Sequence, residues 1–227
     1  MKIANLFPLA IGQDTINLDE TERIILVDEI KKMRAKEFDD NKSSYAWTGD
    51  TKGHEFLFQN DLFKNLAKKI SQTVIKYLKT LEINTDLLDI YYQRSWATFT
   101  EELQQINFHT HSQSNISFAY YLLKPANSGG IIFKSNQQQN EIAKNIFTES
   151  KIEKSLINKA NVYNSDKSFF DLTQDSIVIF PSKTPHATTP NKSKSIRISI
   201  SGDITIMLKD SSGFEHIMPN FNYWTKF

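Results

Sequence analysis

The spacing of the apolar residues changes near Asn84, and this change constrains the fold more than any other feature of the sequence. Beyond Asn84, apolar and β-branched residues form short runs or alternate with polar residues, which is the pattern of strands. The runs end at turn-forming residues such as Pro125 and Gly129-Gly130. We therefore predict strands at residues 88–96, 116–123, 131–133, 176–180 and 196–201, with a further one at 204–208.

Before Asn84 the apolar residues recur every three or four positions, which predicts two amphipathic helices. Asp19 or Thr21 could cap the first helix, whose apolar stripe contains Ile24, Ile25, Val27, Ile30 and Met33. The stripe of the second helix contains Leu62, Phe63, Leu66, Ile70, Val74, Tyr77 and Leu78. Helices followed by many short strands predict an α+β chain whose strand-rich part is an antiparallel sandwich or barrel.

The composition excludes several function classes. The chain has 227 residues, of which 39% are hydrophobic, and this favours one domain with a sizeable core. Its 27 basic and 26 acidic side chains leave a formal net charge of +1, so we expect no general nucleic-acid binding. There is no cysteine, so histidines or oxygen atoms would have to bind any metal. We see neither a signal peptide nor an apolar window of bilayer length, and we expect a cytoplasmic protein that binds no membrane.

Three of the five histidines are candidate metal ligands. His109-Thr110-His111 leads into a strand-rich stretch, where side chains two residues apart point the same way, so both imidazoles could reach one ion. Alone, such a pair is more often accidental than a metal site. His186, which follows the predicted strand 176–180 and a proline-bounded turn, adds a third candidate.

Arg197 and Ser199 lie on the predicted strand that follows His186. If the chain reverses symmetrically in the polar stretch 188–195, His186 lies opposite Arg197 in an antiparallel ladder, about 5.5 Å away at Cα. Arg197 could then grip the far carboxylate of a dianionic co-substrate that chelates the metal, and Ser199 could donate to the same carboxylate. On the pattern alone, the more common arrangement is an arginine that faces solvent from a half-exposed strand.

The order of these motifs resembles the 2-oxoglutarate/Fe(II)-dependent oxygenases. The resemblance rests on His109-x-His111, on FPSKTPHATTP at residues 180–190 and on RISIS at residues 197–201. It is strongest to oxygenases of marine bacteria and phages with this HxH…H…RxS pattern. The segments IANLFPLAIGQDTI, LFKNLAKKISQTVIKYLK and YQRSWATF also look like that family, so the resemblance covers most of the chain.

The resemblance implies a double-stranded β-helix, or jelly-roll, core with the N-terminal helices packed on it. It implies a single oxygenase domain over residues 1–227, with a mainly helical support at 1–88, the core at 89–209 and a C-terminal tail at 210–227. The implied cofactors are Fe(II), O₂ and the co-substrate 2-oxoglutarate, which would be converted to succinate and CO₂ while a substrate is hydroxylated. The implied metal ligands are His109, His111 and His186, and the residues implied to bind 2-oxoglutarate are Arg197, Ser199 and, by analogy with prolyl-hydroxylase-like relatives, Tyr121.

One position departs from the pattern of the wider superfamily, because His111 stands where most of the superfamily has the carboxylate of a two-histidine-one-carboxylate triad. Either His111 is the third ligand, or one histidine of the pair binds and water fills the vacant position. Three acidic residues are close enough in sequence to replace the missing carboxylate, although solvated positions are more common for them: Glu101, Glu102 and Asp175. Pocket roles or structural roles are open for Trp96, Asn107 and Asn115, and we expect His54 and His216 at the surface.

Two other functions fit parts of the pattern. A three-histidine, cupin-like dioxygenase without a keto acid would use the histidines but would leave Arg197 and Ser199 without a role. A non-catalytic jelly-roll module, for binding or within a virion, would make the histidines a coincidence.

The substrate would be a small molecule or a peptide side chain, selected by the polar stretches 39–56 and 136–168. A homodimer is compatible with the sequence, and a phage-encoded chain would act in the host cytoplasm.

Overall fold

The computed structural model describes residues 1–36, 44–135, 137 and 139–227. These ranges contain nine strands and three α-helices, so the predicted α+β class is confirmed. In chain order the elements are β1 Gly12–Thr15, α1 Glu20–Ala35, β2 Trp47–Thr48, α2 Lys64–Thr80, β3 Leu88–Thr100, β4 Ile116–Leu123, β5 Ile131–Lys134, α3 Glu149–Glu153, β6 Lys167–Phe170, β7 Ser176–Pro181, β8 His186–Thr188 and β9 Arg197–Leu208.

The strands form two antiparallel sheets that face each other. The larger sheet has the order β1-β7-β4-β9-β3-β2, and the smaller has the order β6-β5-β8. Phe133 of the small sheet packs edge-on against Phe180 of the large sheet, with ring centroids 5.0 Å apart. Ile131 and Val178 complete this apolar cluster, which closes one part of the space between the sheets. The remaining part of that space is the cleft that contains the candidate site.

Strand β9 shows how alternation divides the two faces of the large sheet. Ile198, Ile200 and Ile204 are buried in the main core, which contains the apolar residues of α1 and α2. The alternate residues, among them Arg197 and Asp203, therefore lie on the opposite face. That face looks across the cleft, because the guanidinium of Arg197 reaches Thr188 on β8 of the small sheet.

The two long helices cover the outer face of the large sheet. Asp19 caps α1, because its side chain accepts hydrogen bonds from the amides of Thr21 and Glu22. The predicted stripe of α1 is wrong at Ile24 and Ile25, which are exposed. The actual buried face contains Arg23, Leu26, Val27 and Ile30. In α2 the predicted stripe is confirmed from Phe63 to Leu78, and only Leu62, which precedes the helix, is exposed.

Arg23 connects α1 to the large sheet through an ion pair and a hydrogen bond to the backbone. Its guanidinium donates to the carbonyl oxygen of Leu122 at 2.8 Å and pairs with the carboxylate of Asp175 at 2.8 Å. The hydroxyl of Tyr120 donates to the same carboxylate at 2.5 Å. Asp175 is therefore engaged on the helix side of the sheet, far from the role of a substitute metal ligand that its sequence position suggested.

Two predictions about strand pairing are wrong. His186 and Arg197 are not ladder partners, because β8 pairs with β5 in the small sheet whereas β9 pairs with β3 and β4 in the large one. The polar stretch between them crosses from one sheet to the other. The predicted strands 196–201 and 204–208 form one strand, since Gly202 continues the ladder opposite Ser95 and Phe118.

Part of the polar stretch 39–56 lies outside the described residues, which resume at residue 44, and the described part contains β2. The polar stretch 136–168 contains the short helix α3 and the start of β6. None of the helices in the described ranges combines the length and the apolar character that a membrane crossing requires.

Candidate metal centre

Two antiparallel segments bring the three candidate histidines together. His109 and His186 exchange both backbone hydrogen bonds, each at 3.0 Å. The amide of His111 donates to the carbonyl oxygen of Ser182, also at 3.0 Å. Because directly paired residues in antiparallel segments project to the same face, the imidazoles of His109 and His186 lie side by side.

The three rings form a compact cluster. The ring centroids are 4.3 Å apart for His109 and His186, 4.9 Å for His109 and His111, and 5.1 Å for His111 and His186. One ring nitrogen from each residue lies within 4.8 Å of the others. His111 and His186 are buried and His109 is exposed, so the cluster is enclosed by protein with one open side.

An oxygen atom holds the Nδ1 atom of each imidazole. The partners are the carbonyl of Asn107 for His109 at 2.8 Å, the carbonyl of Thr184 for His186 at 2.9 Å, and the carboxylate of Asp203 for His111 at 2.5 Å. Carbonyl and carboxylate oxygens only accept hydrogen bonds, so each Nδ1 carries the proton and each Nε2 keeps its lone pair.

The Nε2 atoms are therefore the ligand atoms available to a metal. Nε2 of His111 is buried and has no hydrogen-bond partner among the residues that the structure describes. A buried acceptor without a partner is costly, and coordination of a cation would satisfy it. The donor set thus fits a divalent transition metal, for which imidazole nitrogen is a common ligand.

The protonation of the cluster suits metal binding. Burial, together with the neighbouring imidazole of His109, lowers the pKa of His186 to about 3. The pKa of His109 is also lowered, chiefly by desolvation. Both residues are neutral near pH 7, and neutral imidazole is the form that binds metals.

Asp203 is the residue of this centre that the sequence analysis missed. Its side chain is fully buried, and its oxygens accept hydrogen bonds from His111, Gln113, Ser114 and Ser117. Burial raises the pKa of Asp203, but the hydrogen bonds from His111, Ser117 and Ser114 outweigh this effect and leave the pKa below its usual value. One signal could have found it: a lone acidic residue in the apolar strand Ile-Ser-Gly-Asp-Ile-Thr-Ile, in phase with Arg197.

Arg197 lies inside the cleft, with 1% of its surface exposed, so the expectation of a solvent-facing arginine is wrong. Its guanidinium donates to four neutral oxygens, which belong to Ser128, Thr189, Thr100 and Thr188. Among the described residues no carboxylate lies within ion-pair distance of it. Burial accordingly lowers the pKa of Arg197 from its ordinary value. A buried cation without a counter-ion is unfavourable, so an anionic ligand bound next to this guanidinium would be stabilising.

Tyr121 and Ser199 line the same part of the cleft. They are cross-strand partners in the β4–β9 ladder, so their side chains project to the face that carries Arg197. Burial raises the pKa of Tyr121 to about 12, although the nearby guanidinium of Arg197 acts in the opposite direction. The tyrosine is therefore a neutral hydroxyl. Lys124 lies close by, 5.9 Å from the Tyr121 ring, but its ammonium already contacts the carboxylate of Asp171 at 3.4 Å.

The other candidates have different positions. Trp96 stacks on His111, with ring centroids 5.6 Å apart, and so supports the centre. Asn107 contributes its backbone carbonyl to His109, and the Asn115 side chain accepts from the amide of Ile206. The remaining candidates lie outside the cluster of potential ligands: Glu101, Glu102, Asp175, His54 and His216.

A cavity of about 610 Å³ opens beside His109. Its lining includes Lys134, Glu141 and Asp166, so both signs of charge are present, and Phe108 and Phe147 provide apolar surface. Glu141, Phe147 and Asp166 come from the stretch 136–168, which the sequence analysis assigns to substrate selection.

Comparisons with known proteins agree with this geometry. Residues 94–203 match the family described as "Putative 2OG-Fe(II) oxygenase". This segment contains every histidine of the cluster together with Tyr121, Arg197, Ser199 and Asp203. No curated protein sequence matches the chain.

Several solved structures are similar. HygX from Streptomyces hygroscopicus, solved with nickel and 2-oxoglutarate bound, is 8% identical with a TM-score of 0.55, over 86% of this chain and 82% of HygX. SnoN, a non-heme alpha ketoglutarate dependent epimerase from nogalamycin biosynthesis, is 12% identical with a TM-score of 0.56, over 91% of this chain and 83% of SnoN. A Pseudomonas putida prolyl-4-hydroxylase is 13% identical with a TM-score of 0.50, over 86% of this chain and 92% of that protein.

At these identities the structural neighbours bear on the fold alone, and they confirm the double-stranded β-helix core. The family match bears on the site, because it covers the strands and loops that build the cleft. Its residues include a buried imidazole nitrogen without a partner and a buried guanidinium without a counter-ion. Residues 94–203 therefore match the 2-oxoglutarate/Fe(II) oxygenase family, and the histidine cluster and the buried guanidinium of Arg197 in this segment fit Fe(II) and 2-oxoglutarate as cofactors.

Proposed function

We propose that the protein is a dioxygenase that hydroxylates a small molecule or a peptide side chain and releases succinate and CO₂. The observation that carries this proposal is Arg197, a buried guanidinium without an acidic partner among the described residues. It lies on the same face of β9 as Asp203, whose carboxylate is hydrogen-bonded to His111 of the histidine cluster. A keto acid with two carboxylates would bridge these two features.

We also propose that residues 1–227 form a single domain, with 1–88 as support, 89–209 as core and 210–227 as tail.

The proposed metal ligands are His109, His111 and His186. Each keeps its Nε2 lone pair because Nδ1 is held by an oxygen atom. When bound, Fe(II) would supply the activation of O₂ that these enzymes require. The protein fixes the directions of the three imidazoles, and the buried position of His111 and His186 limits access of water from two sides.

The proposed co-substrate site consists of Arg197, Ser199 and Tyr121. The guanidinium would form a charge-assisted pair with the distal carboxylate of 2-oxoglutarate, and the two hydroxyls would donate to the same group. The Tyr121 hydroxyl can donate because it stays protonated at neutral pH. Hydroxyls from Thr100 and Thr188 already hold the guanidinium in place, so the anion would meet a preorganised cation.

The proposed substrate site is the cavity beside His109, because it opens at the exposed side of the cluster. Its mixture of lysine, carboxylates and phenylalanines favours a polar substrate with an apolar part. The neighbours support both substrate classes, since HygX has been solved with hygromycin B bound and the Pseudomonas putida protein is a prolyl-4-hydroxylase. We place this chemistry in the cytoplasm.

Turnover of 2-oxoglutarate in the presence of Fe(II) and O₂ tests the proposal. Uncoupled formation of succinate, followed by chromatography, should depend on both metal and 2-oxoglutarate, and the His186→Gln variant should abolish it. Metal binding with oxygen consumption but no dependence on 2-oxoglutarate would instead indicate a three-histidine dioxygenase without a keto acid. A protein that binds no metal would be a non-catalytic module, and the proposal would be wrong.

A further inference from the structure

We propose that Asp203 is a positioning residue of the metal centre. Without binding the metal itself, its carboxylate would orient the ligand His111 and supply the negative charge that a metal-bound carboxylate supplies in most of the superfamily. The proposal rests on the metal site put forward above, but it does not depend on 2-oxoglutarate binding. Its basis is the 2.5 Å contact between the Asp203 carboxylate and Nδ1 of His111, with both side chains buried.

The first step of the argument concerns the tautomer of His111. Asp203 can only accept from Nδ1, so the ring proton is held there and Nε2 must present its lone pair to His109 and His186. Without the carboxylate, the neutral ring could equally carry its proton on Nε2, which would then point a hydrogen at the cluster. Trp96, stacked on the ring, restricts its tilt but cannot select the tautomer.

The second step concerns how Asp203 itself is held. Ser117 donates to Oδ1 at 3.0 Å and Gln113 donates to Oδ2 at 2.8 Å. Ser182, which is fully buried, contacts the hydroxyl groups of Ser114 and Ser117 at 2.8 Å and so organises the donors. A buried carboxylate surrounded by this many donors is fixed in position, as an orienting group must be.

The third step concerns charge. His111 occupies the position at which most of the superfamily has a metal-bound carboxylate, so the three-histidine cluster contains no anionic ligand. Asp203 restores one negative group to the centre, displaced by the width of an imidazole ring. A carboxylate hydrogen-bonded to a ligand histidine raises the basicity of that ligand, and loss of such a partner typically weakens metal binding by about 10- to 100-fold.

The test compares metal affinity in the wild type, Asp203→Asn and Asp175→Asn, each as the full chain titrated anaerobically with Co(II) and followed by its visible absorption. Asp203→Asn should bind about 10- to 100-fold more weakly. Asp175→Asn, which alters a partly buried carboxylate on the other face of the sheet, should bind like the wild type. Equal affinity in all three would overturn the inference. A wild type that binds no Co(II) would instead overturn the proposed metal site, so the two failures are distinguishable.

Two further measurements separate orientation from a structural role. In the metal-free wild type, ¹⁵N NMR of the imidazoles should show His111 as the Nδ1–H tautomer, assigned by comparison with His109→Gln and His186→Gln, and this experiment needs no change at residue 203. An Nε2–H tautomer would refute the inference.

The second measurement exchanges the two carboxylate positions. In a His111→Asp background, which returns a carboxylate to the metal, Asp203 faces a like charge, so adding Asp203→Asn should strengthen Co(II) binding instead of weakening it. A purely structural Asp203 would weaken binding in both backgrounds, and that result would also count against the inference.

Discussion

Two arginines are buried among the residues that the structure describes, and the difference between their surroundings makes the proposed co-substrate site testable. Arg23 is paired with the carboxylates of Asp175 and Glu20, whereas the described partners of Arg197 are all neutral oxygens. We predict that Arg197→Met strongly weakens 2-oxoglutarate binding while Ni(II) binding persists. Arg23→Met is the matched control, because it removes an equally buried guanidinium that lies on the other face of the sheet.

The expected magnitude follows from the buried charge pair that 2-oxoglutarate would form. Truncation of one partner of such a pair costs about 2–5 kcal/mol, and every 1.4 kcal/mol is a tenfold change in affinity, so the affinity for 2-oxoglutarate should fall about 30- to 4000-fold.

The free energy of unfolding should respond differently in the two variants. Arg197→Met frees two carbonyl oxygens of their donors but also removes a desolvated charge, so the unfolding free energy should stay within about 2 kcal/mol of the wild type. Arg23→Met leaves Asp175 without its cation and should cost up to roughly 3 kcal/mol.

Isothermal titration of the Ni(II)-loaded proteins with 2-oxoglutarate measures the affinity, and thermal unfolding gives an independent reading. At a ligand concentration of about 100 times Kd, binding stabilises the folded state by about 2.7 kcal/mol, which raises the Tm of a chain of this size by roughly 5–11 °C. The wild type and Arg23→Met should both show this increase, and Arg197→Met should show a much smaller one at the same ligand concentration. An Arg197→Met protein that binds 2-oxoglutarate within threefold of the wild type would refute the assignment of Arg197.

Three further predictions concern stability. The pKa of His186 in the folded state is about 3, below the value near 6.5 of an unfolded histidine, so the unfolded state binds the proton more tightly. The unfolding free energy of the metal-free protein should therefore fall by roughly 1 kcal/mol between pH 6.5 and 5.5. Urea titrations of His186→Gln should lack this part of the pH dependence. Gly202→Ala should destabilise the protein by about 1–3 kcal/mol in the same assay, because the added Cβ would lie 2.6 Å from the Phe118 ring and 2.9 Å from the carbonyl oxygen of Arg94. Asp19→Ala removes the N-cap of α1 and should cost about 1 kcal/mol, with no change in metal affinity, whereas an unchanged unfolding free energy would show that the cap contributes nothing.

The sequence by itself determined most of the elements and the phase of the residues along them. The strand predicted at 116–123 has its observed bounds, and the stripe of α2 from Phe63 to Leu78 is the buried one. The reason is physical: apolar periodicity records which positions face away from water, and that is a local property. The two-residue spacing of His109 and His111 likewise predicted that both imidazoles could reach one ion, and one ring nitrogen of each lies within 4.8 Å of the other.

Only the tertiary structure decided what covers each face. Alternation placed Arg197 and Ser199 together, but it could not show that the small sheet closes over them and leaves Arg197 buried. It also could not show that β8 and β9 belong to different sheets, because a polar connection of eight residues suits a hairpin as well as a crossover. The contact between Asp203 and His111 joins positions 92 residues apart, and such a pair is brought together only when β9 is inserted between β3 and β4.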